Sequence, residues 1–314
     1  MKRDHNIDAF RGIAIIGMVF FTVTTRLSSN LPDLLRHNVW GSVHLGDFIL
    51  PMFLFASGLS LAYYLNKKNN EKQKELVKNV FVRFFKLAIV GVSLSIFSAY
   101  GFLEMDEVML SAILYLMCVA ISKFDWKIIM ILIFLINLSY IVLIQYNFDT
   151  FFVGHYLGGY PAALYYLPIM LVGLIIGKGI ISDGMWCKTN KIVITIIFFF
   201  FLFFIIFIPL NKMIATPSFM MLSLLFSLLI FSMIQMSISN IFLIKKFEYF
   251  GRKPFRYWIM MYIIFLIPVW FYVEFFKIIS QVQLQWYFSV VVSIALMAIF
   301  WRISLLIDYI PISN

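Results

Sequence analysis

The chain alternates long apolar runs with short polar segments. Ten runs predict membrane-spanning helices, at about residues 10–28, 48–66, 80–99, 108–122, 126–146, 161–181, 191–209, 217–239, 255–276 and 285–307. A helix needs roughly 20 apolar residues to cross the hydrocarbon core. Continuous helices satisfy their own backbone groups in lipid, so the pattern predicts an all-α integral membrane bundle. The fourth run is the weakest, being short and interrupted by Ser111. The seventh carries no polar side chain from Ile196 to Pro209, which predicts a helix on the lipid-facing rim. The eighth opens with Thr216-Pro217-Ser218, a threonine cap followed by proline at the first helical position. Ser223 and Ser227 then lie one turn apart, a small-residue face suited to packing. No secretory signal precedes the first run, which reads as a mature helix.

Composition agrees. Of 314 residues, 63% are hydrophobic and 13% charged, against about 25% charged in soluble domains. The net charge of +10 would suggest nucleic acid in a soluble protein. Here it reads as topology, because 21 basic residues fall on one side of the ten-span scheme and four (Arg26, Arg36, Lys212 and Lys277) on the other. The positive-inside bias then places both termini in the cytoplasm and the segment between the first two runs outside. Cys118 lies in an apolar run and Cys187 in a basic loop, so free thiols are expected. No zinc-type ligand spacing is present and no metal is expected. Neither an internal repeat nor a separate soluble domain is evident, so residues 1–314 read as one unit.

Candidate chemistry concentrates before the second run, where His37-Asn38-Val39-Trp40 and Gly46-Asp47-Phe48 stand together. An imidazole near neutral pKa can take a proton from an attacking amine or hydroxyl and return it later. The bland alternatives are an idle loop histidine at His37, an interfacial anchor at Trp40 and a helix cap at Asp47. His44 reads as structural. Asp8 and Arg11, three residues apart, share a helix face at the inner edge of the first run. They form either a surface ion pair or a basic point that meets an anionic ligand. The segment Gly251-Arg252-Lys253-Pro254-Phe255-Arg256-Tyr257 reads as a basic loop. It is either plain positive-inside bias or a phosphate site helped by helix N-terminal amides. The lysines from Lys67 to Lys78 read as a solvated loop touching anionic lipid.

The stretch Asp8-Ala9-Phe10-Arg11-Gly12-Ile13-Ala14, with Met18-Val19-Phe20, His37, Trp40, Asp47, Pro51, Phe53-Leu54-Phe55 and Gly58, resembles the heparan-alpha-glucosaminide N-acetyltransferase family, multi-span enzymes of the wider transmembrane acyltransferase group. The specific part covers residues 1–65, with later echoes at Thr216-Pro217-Ser218 and Gly251 to Tyr257. The resemblance implies transfer of an acetyl group from cytoplasmic acetyl-CoA to a sugar amine or hydroxyl across the membrane, with His37 as the catalytic base. Asp47 would orient the imidazole and Thr22 or Asn38 would support the oxyanion. Trp40 and Asp8 are the candidates for substrate contact. Arg11, Arg83, Arg252, Lys253, Arg256 and Tyr257 are those for the CoA moiety. Two positions depart from related patterns. Thr22 stands where the type-three acyltransferases carry histidine and the heparan-type family usually asparagine, and Lys253 where the latter commonly shows asparagine.

The expected setting is a bacterial or archaeal inner membrane, in contact with lipid. A homodimer is compatible with the sequence. Two other functions fit a polytopic bundle: a transporter or flippase, and an assembly factor with an idle histidine. Few buried charges and no inverted repeat speak against transport.

Overall fold

The computed structural model describes residues 4–28, 30–36, 41–68, 73–97, 104–146, 156–185, 187–236, 242–261, 263 and 285–308. Among them the fold is all helical, without strands. The helices are α1 (His5–Leu27), α2 (Ile49–Lys67), α3 (Gln73–Phe97), α4 (Glu107–Ile121), α5 (Trp126–Gln145), α6 (Gly159–Asp183), α7 (Lys188–Phe207), α8 (Pro217–Met236), α9 (Phe242–Arg252), α10 (Pro254–Met261) and α11 (Trp286–Asp308). Helix α1 starts five residues before its apolar run because Asp4 caps it, accepting the Asn6 N–H at 2.9 Å.

Seven described helices are long and apolar enough to cross a membrane: α1, α2, α5, α6, α7, α8 and α11. Helix α4 is apolar but only 15 residues long. Helix α3 has 25 residues, but Lys74, Lys78, Arg83 and Lys86 interrupt its apolar face. The expected run at 255–276 begins as α10 and then passes outside the described residues. Among the described residues, seven helices thus qualify as full-length spans of a multi-pass helical protein, against ten runs expected over the whole chain.

Helix α6 is the most enclosed span and α7 among the most exposed. Phe199, Ile206 and Phe207 on α7 face outward, as the lack of polar side chains from Ile196 onward predicts. The tightest crossing joins α2 to α6. A methyl group at Gly58 would overlap the Met170 carbonyl oxygen, and one at Gly173 would overlap that of Phe55. Behind this crossing Phe10, Phe55 and Phe231 meet edge to face and tie α1, α2 and α8 together. Ser223 and Ser227 are fully buried.

Two local expectations change. Residues 242–252, expected as loop, form the amphipathic helix α9, too short and too charged to register as a span. It packs against α1, where Gly251 lies directly on the Asp8 carbonyl. Thr216 does precede α8, and its carbonyl accepts the Met220 N–H. Its hydroxyl does not cap the helix but turns back to accept the Asn211 N–H at 2.9 Å.

Candidate active site

The second half of the hairpin between α1 and α2 ends in a 3-10 turn, Leu45–Phe48, that leads straight into α2. Asp47 is the third residue of that turn and is fully buried. Its Oδ2 accepts the His44 N–H at 2.9 Å. This reach back to the preceding residue satisfies a donor at the turn's N-terminus. Its Oδ1 accepts from Lys212 Nζ at 3.2 Å, forming an ion pair with 4% of the lysine side chain exposed. The capping reading of Asp47 is therefore half of its role, the other half being a buried charge pair.

Lys212 comes from the connection between α7 and α8, which is fixed at several points. Tyr140 on α5 donates to the Ile214 carbonyl at 2.6 Å, Asn211 Oδ1 accepts the Met213 N–H at 2.9 Å, and Ser218 donates to the Pro209 carbonyl at 3.0 Å. Ala215 holds φ +55°, a left-handed conformation that costs a residue with Cβ about 1 kcal/mol or more. A connection held this firmly aims its lysine. Burial pushes the Lys212 ammonium down from its ordinary range, against the opposing pull of Asp47.

His44 is the histidine that the described residues place at Asp47. Its Nδ1 lies 3.7 Å from Asp47 Oδ2, with 11% of the side chain exposed. That nitrogen is buried and finds no hydrogen-bond partner among the described residues. The distance is too long for a hydrogen bond, so the carboxylate is held by the backbone of His44 rather than by its ring. Sequence reasoning gave His44 no role, and its spacing from Asp47 was the available signal. His37, Asn38 and Trp40 lie outside the described residues. Arg36, just before them, is anchored by a 3.0 Å ion pair to Asp33 and donates to the Leu31 carbonyl at 3.0 Å. Thr22 is half-buried near the end of α1. Gly17 of that helix packs on Ile49, so Thr22 belongs to the same end of the bundle as Asp47.

The opposite end gathers the other candidates. Arg11 donates to Asp8 Oδ1 at 2.5 Å, to the Gly251 carbonyl at 2.8 Å and to Ser60 Oγ at 3.1 Å, joining α1, α2 and α9. Asp8 is 3% exposed, so this is a buried brace and not a surface pair. Arg252 grips Glu248 through two nitrogens, and His5 Nδ1 lies 2.7 Å from the same Glu248 oxygen. Burial pushes the Glu248 carboxyl up, but its bonds to His5 and Arg252 outweigh burial and hold it below the ordinary range. Tyr257 is buried among Tyr249 and Phe250. Lys253 and Arg256 stand at the start of α10, Lys253 exposed and Arg256 partly buried.

Between the two ends runs a cavity of about 80 Å³. It is lined by Phe53, Ser57 and Leu61 of α2, by Arg83 of α3 and by Glu107 and Tyr115 of α4. Phe53 to Leu61 spans about 12 Å of helix at the α-helical rise. Arg83 lies over the Tyr115 ring at 4.6 Å. Arg83 lines the same cavity as Arg11 and Pro254, while Arg252 turns to Glu248. Arg11 also lines the passage and a second space bordered by Asp4, Asp8 and Tyr63. Its guanidinium stands between them. Glu107, at one end of this lining, acts electrostatically on Lys212.

Residues 3–181 match the family described as heparan-alpha-glucosaminide N-acetyltransferase, catalytic. The match includes Asp47, Arg11 and every helix lining the passage except α10, and it stops before Lys212 and α9. A comparison with the curated proteins finds no match.

Proposed function

The chain belongs to the heparan-alpha-glucosaminide N-acetyltransferase family, and on that premise we propose that it moves an acetyl group from acetyl-CoA, bound from the cytoplasm, to an amine or hydroxyl of a sugar at the opposite membrane face. The single observation that carries this reading beyond the family is a narrow cavity lined from Arg11 and Pro254 at the basic end of the bundle to Glu107, whose charge acts on the buried Lys212. CoA is too highly charged to cross lipid. A thioester on a thin arm can cross the membrane through such a passage while the charged head stays behind.

The chemistry is acyl transfer. The acceptor nitrogen or oxygen attacks the thioester carbonyl carbon, its proton passing to His37. The tetrahedral intermediate collapses, the C–S bond breaks, and the CoA thiolate leaves with the proton that His37 returns. Asp47 stabilises the imidazolium and fixes its tautomer, as the aspartate of a catalytic triad does. Lys212 pairs with Asp47 and supplies the partner charge that a buried carboxylate requires. Thr22 and Asn38 are the donors for the oxyanion, and Trp40 offers the acceptor sugar an apolar face. Both termini lie in the cytoplasm, and the protein works in the cell membrane in contact with lipid.

The test is release of CoA from acetyl-CoA by purified protein given a panel of amino sugars. Turnover in wild type and its loss in Asp47→Asn supports the reading. Equal turnover in the two proteins removes the orienting role of Asp47, and no turnover in wild type removes the acetyltransferase.

A further inference from the structure

Tyr166 on α6 carries a hydroxyl that the resting fold does not use. The side chain is fully buried, and its hydroxyl finds no hydrogen-bond partner among the described residues. Other tyrosines of the bundle do pair theirs: Tyr63 donates to Asp4 at 2.8 Å and Tyr140 to the Ile214 carbonyl at 2.6 Å. A buried donor left unpaired costs stability, and phenylalanine would fill the same space without that cost. The use of the hydroxyl is then to be sought in the groups around it.

Helix register shows what those groups are. Met170 and Gly173 of α6 press on Gly58 and Phe55 of α2, and Gly177 presses on Ala62. The two helices therefore run side by side in one direction, and Tyr166, a turn before Met170, lies level with the first turn of α2. Long side chains on a helix lean back toward its N-terminus, which carries the phenol toward the turn that holds Asp47. The start of α4 lies at this end as well, because Glu104 and Asp106 act electrostatically on Tyr160 in the first turn of α6. The neighbouring Tyr165 meets the Tyr140 ring edge-on at 4.8 Å, and Tyr140 anchors the connection that carries Lys212. Asp47 and Glu107 are the charges that act on the Tyr166 hydroxyl, and the same two act on Lys212. Glu107 also lines the narrow cavity, together with Met170.

Asp47 and Glu107 carry like charges, which oppose each other's ionisation in a buried site. A hydroxyl held by no other bond can turn its proton to either carboxylate. We propose that Tyr166 is a positioning residue that couples Glu107, on the cavity wall, to Asp47, its hydroxyl turning from the first to the second when a reactant in the cavity engages Glu107. The O–H then supports the Asp47 carboxylate while the imidazolium forms beside it. This rests on the acetyltransferase reading for the reaction that is measured.

The experiment measures CoA release from acetyl-CoA, with the amino-sugar panel, by wild type, Tyr166→Phe, Glu107→Gln and the double variant. Thermal unfolding of each is followed in the same detergent. Tyr166→Phe is expected to lower kcat about tenfold, to keep the KM for acetyl-CoA within about twofold, and to unfold no lower than wild type. Glu107→Gln is expected to lower kcat when Tyr166 is present. In the Tyr166→Phe background it should change kcat by less than about twofold, because the coupling is already lost. A merely structural role would instead move the unfolding temperature and let the two factors multiply. With wild type active, equal kcat in Tyr166→Phe, full activity in Glu107→Gln or independent factors in the double variant overturns the proposal and leaves the acetyltransferase reading standing. Unfolding of Tyr166→Phe well below wild type also overturns it, since the hydroxyl would then belong to the resting fold. No turnover in wild type removes the acetyltransferase reading and this role with it.

Discussion

Lys212 and Asp47 are 165 residues apart in sequence, yet their charged atoms meet at 3.2 Å with both side chains buried. This pair fixes the start of α2 against the connection between α7 and α8. Removing the lysine alone leaves a buried carboxylate without its cation, a change that costs about 3–5 kcal/mol when a buried pair is broken. Lys212→Met should therefore unfold at markedly lower temperature than wild type in the same detergent. The double variant Asp47→Asn/Lys212→Met should recover most of that stability and still lack turnover. A double variant as unstable as Lys212→Met would show that the two groups are not coupled.

His44 touches Asp47 through its backbone N–H and only approaches it through its ring. His44→Gln keeps that N–H, so turnover should stay within a few fold of wild type. A loss as large as that of a missing general base, about 100-fold or more, would transfer the base role from His37 to His44. Parallel rates for the two histidine variants decide it.

The α1–α9 contact leaves no space for a side chain. A methyl at Gly251 would overlap the Asp8 carbonyl oxygen, and backbone cannot yield as a side-chain tip can. Gly251→Ala should lower stability by about 1–3 kcal/mol, the usual cost of overpacking. Because Arg11 bonds the Gly251 carbonyl, the same change should loosen α9 from α1. Faster amide hydrogen exchange in α9 than in α2 would report it, and equal exchange would contradict it.

Asp106 caps α4 through the Met109 N–H at 2.7 Å, while its other oxygen is buried without a partner among the described residues. Burial, with Glu107 beside it, pushes its carboxyl up from 3.8 to about 7. The folded protein then holds this proton more tightly than the unfolded chain, so stability falls as pH rises from about 4 through about 7. Asparagine caps as well as aspartate and carries no charge. Asp106→Asn should flatten the thermal-unfolding profile over that window and unfold no lower than wild type at pH 8. A profile as steep as that of wild type would rule out Asp106 as its source.

Local pattern made part of this legible. The purely apolar seventh run became an exposed helix because nothing in it could be satisfied inside the bundle. The three-residue spacing of Asp8 and Arg11 became an ion pair because helical geometry brings such residues to one face. The residues that complete the picture carry no such trace. Lys212 finds Asp47 only after α2, α7 and α8 have packed. Lys212 reads in the sequence as one of a few outside basic residues, and its partner lies in another connection. Helix α9 has 11 residues, among them Lys245, Lys246, Glu248 and Arg252, so its apolar face is too short for a span and reads as loop. The hydroxyl of Thr216 bonds Asn211, five residues back, because the connection folds on itself before the helix begins.

His37, as the proposed base, should carry the transfer of an acetyl group across the bilayer. The most direct measurement uses protein in sealed liposomes, oriented by selective capture of one terminus. Labelled acetyl-CoA is supplied on the side of the termini and an amino sugar is enclosed on the other, with wild type and His37→Ala run in parallel. Labelled sugar is expected inside wild-type vesicles, at a rate lower by about 100-fold or more in His37→Ala. Labelled sugar at equal rates in both proteins, or only when donor and acceptor share one side, would contradict it.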